Sequence, residues 1–365
     1  MGSSGPQDHG GNRREALAAW GLERLLDFSA SINPLGQPAG LRDHLLSRWG
    51  DTLHYPDRGA PGFLAAVSRA HGLSPEGLLA GNGSAELFDL TLRALRPRRL
   101  LLCPPDFGLY QGLAPEGLPV ACLPRLEGEG FAVNRSALAQ AVGPGDLVLF
   151  SNPSNPVGGT VSRADLLALL ARCEERGATL AVDEAFADFC PGESVLADVA
   201  AGRGLVVFRS LTKFYGIPGL RLGFLAAAPE AVGRIAALQV PWSVSALAQE
   251  AGIYCLSRSD WGTETLGYVA RAREALGRGL SSIPGLRPLP SRTNYLLVEL
   301  SPPAPQATDL YDALARRGIL VRHCGSFGLG ERYVRVAVRT EEENETLLDA
   351  LRMAVSSPGP PASDP

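Results

Sequence analysis

Between residues 53 and 261, short apolar runs alternate with stretches of helical periodicity. Runs at 99–103, 147–150, 179–182, 205–208 and 222–226 predict strands, and their alternation with helices predicts a mostly parallel sheet covered by helices, an α/β fold. One helix carries its own punctuation: Ser162 and Asp165 are spaced as a variant capping box before the pattern over 163–176, and Gly177 follows as its stop. Proline and glycine at 283–290 mark a change of pattern. Beyond it, strands at 295–299, 319–323 and 333–338 and a helix capped by Thr340 and Glu343 predict a smaller α+β unit. In the last of these strands the period of two sends Val334, Val336 and Val338 to one face and Arg335 and Arg339 to the other, so one face is core and the other can meet an anion. The expected organisation is an N-terminal arm with part of the small domain (1–52), a large domain (53–282), the C-terminal small domain (283–355) and a disordered tail (356–365).

Charge narrows the choice of partner. A net charge of -4, a pI near 5.8 and scattered arginines argue against a nucleic-acid surface and for a small-molecule partner. The cysteines (Cys103, Cys122, Cys173, Cys190, Cys255, Cys324) show no C-x-x-C spacing and no paired histidines, so neither a metal site nor a disulfide framework is expected. No leader-like stretch opens the chain and no apolar run approaches the roughly 18 residues of a membrane span, so the expected location is the cytoplasm.

Of the 34 basic residues, Lys213 alone is a lysine. A chain this averse to lysine keeps one where arginine cannot substitute, and an amine that can lose its proton is the usual requirement, because arginine cannot do so. A neutral amine is a nucleophile toward aldehydes, the basis of catalysis with pyridoxal phosphate. Ser210 and Arg221, on either side of it, supply a hydroxyl and a permanent cation suited to a phosphate.

Further motifs precede it in order. Gly81-Asn82-Gly83-Ser84-Ala85-Glu86 leads into a helix over 87–95, whose first N–H groups and Ser84 hydroxyl can cradle a phosphate. Phe107, after a strand and a proline pair, can lie flat against a heteroaromatic ring. In Asn152-Pro153-Ser154-Asn155-Pro156 two Asn-Pro pairs fix an extended turn, and Asn155 can donate to a phenolic oxygen. Asp183 ends an apolar strand, where ligands of open α/β sheets gather, and a carboxylate there pairs with a protonated ring nitrogen. Singly, each is an ordinary cap, core aromatic or turn; their order is the informative feature.

Together these residues resemble the fold-type I pyridoxal phosphate enzymes of the class I and II aminotransferase family, over residues 27–352. The resemblance implies a large domain with a mostly parallel seven-stranded sheet beside a smaller α+β domain. It also implies that Lys213 carries pyridoxal 5'-phosphate, Asp183 holds the ring nitrogen, Phe107 stacks on the ring and Asn155 meets its oxygen. Gly83, Ser84, Ala85, Ser210 and Arg221 then hold the phosphate, while Phe186 stands where the family commonly has a tyrosine. Tyr55 matches a tyrosine that reaches the phosphate of the neighbouring subunit, which implies a homodimer. The stretches 9–12, 27–36, 209–215, 241–244 and 294–297 are similar to the branch acting on phosphorylated amino substrates. Decarboxylation of a small phosphorylated amino acid is therefore expected, with transamination as the alternative. His9, Ser31, Asn33, Asn155, Arg322 and Arg335 are the implied substrate contacts, with His9 and Arg322 on phosphate and Arg335 shared; Ser31 replaces an asparagine typical of this branch. The Ser-x-x-Lys spacing of 210–213 also occurs in β-lactamases, but their Lys-Thr-Gly motif would need a second lysine.

Overall fold

A computed structural model describes residues 10–201 and 204–356. The expectations for His9 and for the tail beyond residue 356 lie outside the described residues. The chain divides into two compact units, one of residues 36–155 and 159–265, the other of the described residues up to Leu35, Pro156–Gly158 and those from Leu266 on.

In the larger unit, strands covered by helices on both faces are runs of Leu, Val and Phe, and along Asp146–Ser151, Leu205–Ser210 and Gly223–Ala227 every position is buried. Along Asp146–Ser151, Val148 and Phe150 pack with Leu166 and Leu170 of the helix Arg163–Glu175, whereas Leu147 and Leu149 belong to the core around Phe88 and Phe208. Each such side chain contributes about 1.5–3 kcal/mol on burial. The sheet has seven strands, ordered Leu78–Gly81, Gly223–Ala227, Leu205–Ser210, Thr179–Asp183, Asp146–Ser151, Arg99–Leu102 and Val120–Cys122. Gly223–Ala227 is antiparallel to both its neighbours and the remaining pairs are parallel. The Ser162 hydroxyl accepts from Asp165 N at 3.2 Å and Gly177 adopts φ 65°, as the capping pattern predicts.

The smaller unit holds an antiparallel sheet ordered Arg322–His323, Tyr333–Ala337, Tyr295–Leu300 and Leu286–Pro288. Its core includes Leu276 and Leu280 of Ser259–Ser281 with Leu347 and Leu351 of Glu341–Ser356. That last helix opens with a full capping box: Glu343 N donates to Thr340 Oγ1 and Thr340 N to Glu343 Oε2, both at 3.3 Å.

The strand expected over 319–323 is two. Ile319–Leu320 pairs in parallel with Leu26–Asp27, and Arg322–His323 pairs antiparallel with Tyr333–Ala337; serving two different neighbours requires the break at Val321. The unit boundaries fall after residues 35 and 265, where composition points to 52 and 282. The helix Leu41–Ser47 packs on Ala246–Leu256, with the Tyr254 hydroxyl donating to Ala39 O at 2.6 Å, and so joins the larger unit. Among the described residues no helix is long and apolar enough to cross a membrane, and no cluster of His, Cys, Asp or Glu could hold a metal ion.

Candidate active site

Strand register in the larger unit collects the chemistry at one edge. Ser151 and Asp183 are partners at the carboxyl ends of adjacent parallel strands. Ser210 ends the next strand but faces Gly223, which in turn faces Gly81, so a hydroxyl and two glycines lie in a row across three strands. From Ser210 the chain enters the short helix Leu211–Phe214, which returns Lys213 over the sheet end: its Nζ donates to Ser210 Oγ at 3.1 Å, and that hydroxyl lies 2.8 Å from Thr212 Oγ1. The Lys213 ammonium also lies 5.8 Å from the centre of the buried Phe186 ring.

Asp183 is 5% exposed and accepts from Ala185 N at 2.9 Å and from the Tyr110 hydroxyl at 2.5 Å. Burial pushes its carboxyl up to about 6, against the opposing pull of the Tyr110 hydrogen bond and the Lys213 charge. Behind it, Glu184 and Arg209 form a buried ion pair at 2.9 Å that ties the two strand ends together. Burial pushes Glu184 up as well, and the Arg209 charge opposes it.

The glycine-rich turn brings a guanidinium close to a helix start. Gly83 sits at φ 75°, ψ 169°, a region open only to glycine, and a Cβ there would fall 2.6 Å from the Arg221 guanidinium. At Gly223 a Cβ would meet Arg209 O at 2.6 Å and Ser84 N at 3.0 Å. Ser84 opens the helix Ser84–Leu95, with Ala85 beside it, so its first N–H groups and the Arg221 cation stand together. Phe107 is half-buried and its ring stands perpendicular to that of Tyr110, ring centres 5.6 Å apart. Asn155 is half-buried, and its backbone N–H donates to Ser151 Oγ at 2.9 Å. Asn152, by contrast, is a structural residue: its side chain exchanges hydrogen bonds with the backbone of Val161. An amine at Lys213, the buried Asp183 carboxylate, the Phe107 ring and the helix start beside Arg221 are a donor set that fits pyridoxal 5'-phosphate. Tyr55 lies on the surface of this unit, 81% exposed, stacked on Trp242 with ring centres 4.8 Å apart.

In the smaller unit, Arg322 and Arg335 face one another directly on adjacent antiparallel strands, and both are buried. Like charges in that arrangement repel. Arg335 donates to Ser29 O at 2.9 Å and Arg322 to Ser326 Oγ at 2.6 Å; burial lowers the Arg335 pKa. Asn33 accepts from Leu35 N at 3.0 Å, shaping its turn, while the buried Ser31 hydroxyl has no hydrogen-bond partner among the described residues.

Sequence reasoning left Tyr110, Asp106 and the Glu184–Arg209 pair unassigned. Tyr110 had a local signal, three residues after Phe107 at the spacing of a helical turn; the others act through partners far along the chain.

The family model "Aminotransferase class I and II" matches residues 25–351. The chain is 36% identical to threonine-phosphate decarboxylase of Salmonella typhimurium, over 96% of this chain and 98% of that one. It is 33% identical to histidinol-phosphate aminotransferase of Roseiflexus castenholzii, over 91% and 90%. Among solved structures, histidinol-phosphate aminotransferase of Clostridium acetobutylicum superposes with a TM-score of 0.85 at 28% identity, covering 91% of this chain and 99% of that one.

Proposed function

Because the chain belongs to the class I and II aminotransferase family, we propose that it uses pyridoxal 5'-phosphate to decarboxylate O-phospho-L-threonine, yielding (R)-1-amino-2-propanol phosphate for cobalamin biosynthesis in the cytoplasm. The observation that carries the substrate class is the buried pair Arg322 and Arg335, two cations in register that suit a substrate bearing both a phosphate and a carboxylate. The similarity to a threonine-phosphate decarboxylase over nearly the whole chain supports the reaction.

When bound, the cofactor would supply an electron-accepting ring that stabilises the charge left at Cα when a bond there breaks. Asp183 presents its carboxylate to the ring nitrogen, and Tyr110 keeps that carboxylate oriented. Phe107 stacks on the ring, Asn155 donates to its oxygen, and Ser84, Ala85, Ser210 and Arg221 bind the phosphate. Gly83 leaves room for that phosphate. Lys213, held by Ser210, is the amine that would carry the cofactor and the acid that would return a proton to Cα once CO2 had left. Arg322 and Arg335 would anchor the phosphate and carboxylate of the substrate and so fix which bond at Cα breaks, with Ser31, Asn33 and His9 as further substrate contacts. If they presented the Cα hydrogen for cleavage instead, Lys213 would move that proton and transamination would follow. This second reading is supported by the 33% identity to a histidinol-phosphate aminotransferase.

A homodimer completes the reading. Tyr55, Leu53, Trp49 and Val240 are large hydrophobic side chains left exposed on the larger unit, which supports a second copy covering them and Tyr55 reaching that copy's phosphate site. The test of the reaction is a single tube of loaded protein with O-phospho-L-threonine, with and without 2-oxoglutarate. CO2 release that needs no keto acid is expected; glutamate formation, fastest with histidinol phosphate as amino donor, would establish the aminotransferase instead.

A further inference from the structure

Asp106 lies one residue before the ring-stacking Phe107 and is itself 7% exposed. Its two carboxylate oxygens divide a set of donors between them. Oδ1 accepts from Phe107 N at 2.8 Å and from the Ser151 hydroxyl; Oδ2 accepts from Ser151 N at 3.0 Å and from Arg125 at 2.8 Å. Arg125 is buried too, and its Nε donates to Cys103 O at 2.8 Å, so the ion pair spans the end of the strand Arg99–Leu102 and the end of Asp146–Ser151. Having spent its proton on Asp106, the Ser151 hydroxyl can only accept at its remaining lone pairs, and there it takes Asn155 N at 2.9 Å.

The geometry points to Asp106, charged and countered by Arg125, as the positioning residue that sets both Phe107 and, through Ser151, the Asn155 turn against the cofactor. This rests on the reading of the larger unit as a pyridoxal phosphate site. Both arms of the network end at residues that reading assigns to the ring: one at the stacking aromatic, the other at the partner of the ring oxygen. Only an ionised carboxylate suits the position, because every group reaching it is a donor; an amide would turn its NH2 toward two of them. The network also borders the acid that faces the ring nitrogen, since Ser151 is the register partner of Asp183.

The test reads cofactor binding without substrate, so it does not depend on which reaction the enzyme performs. Cofactor-free parent, Asp106→Asn and Ser151→Ala are titrated with pyridoxal 5'-phosphate, recording the dissociation constant and the induced circular dichroism of the bound chromophore, which reports ring orientation. Far-UV circular dichroism and thermal melts of the cofactor-free proteins follow the fold. Losing hydrogen bonds of this kind weakens binding by about tenfold in Asp106→Asn and about threefold to tenfold in Ser151→Ala. The induced signal per bound cofactor is expected to fall in both. Should Asp106→Asn fail to fold, Ser151→Ala decides the matter. A folded Ser151→Ala that binds within about twofold of the parent, with an unchanged induced signal, overturns the proposal. A parent that takes up no pyridoxal phosphate overturns the cofactor reading, and this proposal with it.

Discussion

Tyr110 donates its hydroxyl to Asp183 Oδ2 at 2.5 Å, in a place where the tyrosine is 1% exposed and the aspartate 5%. A hydrogen bond to an ionised acceptor is stronger than one between neutral groups, and here it opposes the burial that lifts the Asp183 carboxyl to about 6. Tyr110→Phe keeps the edge-on packing with Phe88 and Phe107 and deletes only the donor. Asp183 then protonates at a higher pH. The acidic limb of the kcat/KM profile is expected to move upward, with activity at neutral pH about tenfold lower; an unmoved limb would show that Tyr110 only packs.

The same carboxyl makes a stability prediction. Its folded pKa is raised above the ordinary 3.8, so between that value and about 6 the folded protein binds more protons than the unfolded chain. Stability contributed by this group is therefore lost as pH rises through that window. Asp183→Asn removes the effect. In cofactor-free protein, the stability of parent relative to Asp183→Asn is expected to fall by on the order of 3 kcal/mol between pH 4 and pH 8, read by urea denaturation.

Gly83 combines a backbone conformation closed to other residues with a site for Cβ only 2.6 Å from the Arg221 guanidinium. Gly83→Ala costs about 1–3 kcal/mol in strain. It also displaces Arg221 from the anion pocket, so the dissociation constant for pyridoxal phosphate is expected to rise by about tenfold or more, with a smaller loss for pyridoxal lacking the phosphate. Equal losses for the two ligands would argue that the pocket does not hold phosphate.

Arg322 and Arg335 stand opposite one another, so each alone is expected to matter for an anionic substrate. Arg335→Gln and Arg322→Gln should each raise KM for O-phospho-L-threonine by about a hundredfold, while cofactor affinity stays near that of the parent. Inorganic phosphate should inhibit the parent competitively and the variants weakly. Substrate saturation curves with and without phosphate decide this.

Much of the fold was legible because strands buried on both faces leave uninterrupted apolar runs, as over Asp146–Ser151 and Leu205–Ser210. Leu78–Gly81 and Val120–Cys122 were not singled out: the apolar stretches inside them, Leu78-Leu79-Ala80 and Val120-Ala121-Cys122, are only three residues long, and their sheet partners define them as strands. The break at Val321 was hidden for a similar reason, since its two halves are told apart only by which strand each one meets. In the candidate site, Lys213 was visible from the scarcity of lysine, and Gly83 from its local turn. Asp106 and Tyr110 were not, because their work depends on partners distant in sequence: Ser151 lies 45 residues from Asp106, and Asp183 lies 73 from Tyr110. A hydrogen bond over that separation leaves no local pattern.

If Lys213 is the reactive amine of a pyridoxal phosphate site, the loaded protein carries the cofactor on that side chain. The most direct measurement is borohydride reduction of the loaded protein followed by peptide mapping. The account predicts a stoichiometric mass gain of one reduced cofactor on the peptide containing Lys213, and none in Lys213→Ala. A loaded, active parent that acquires no such label at Lys213 would contradict it.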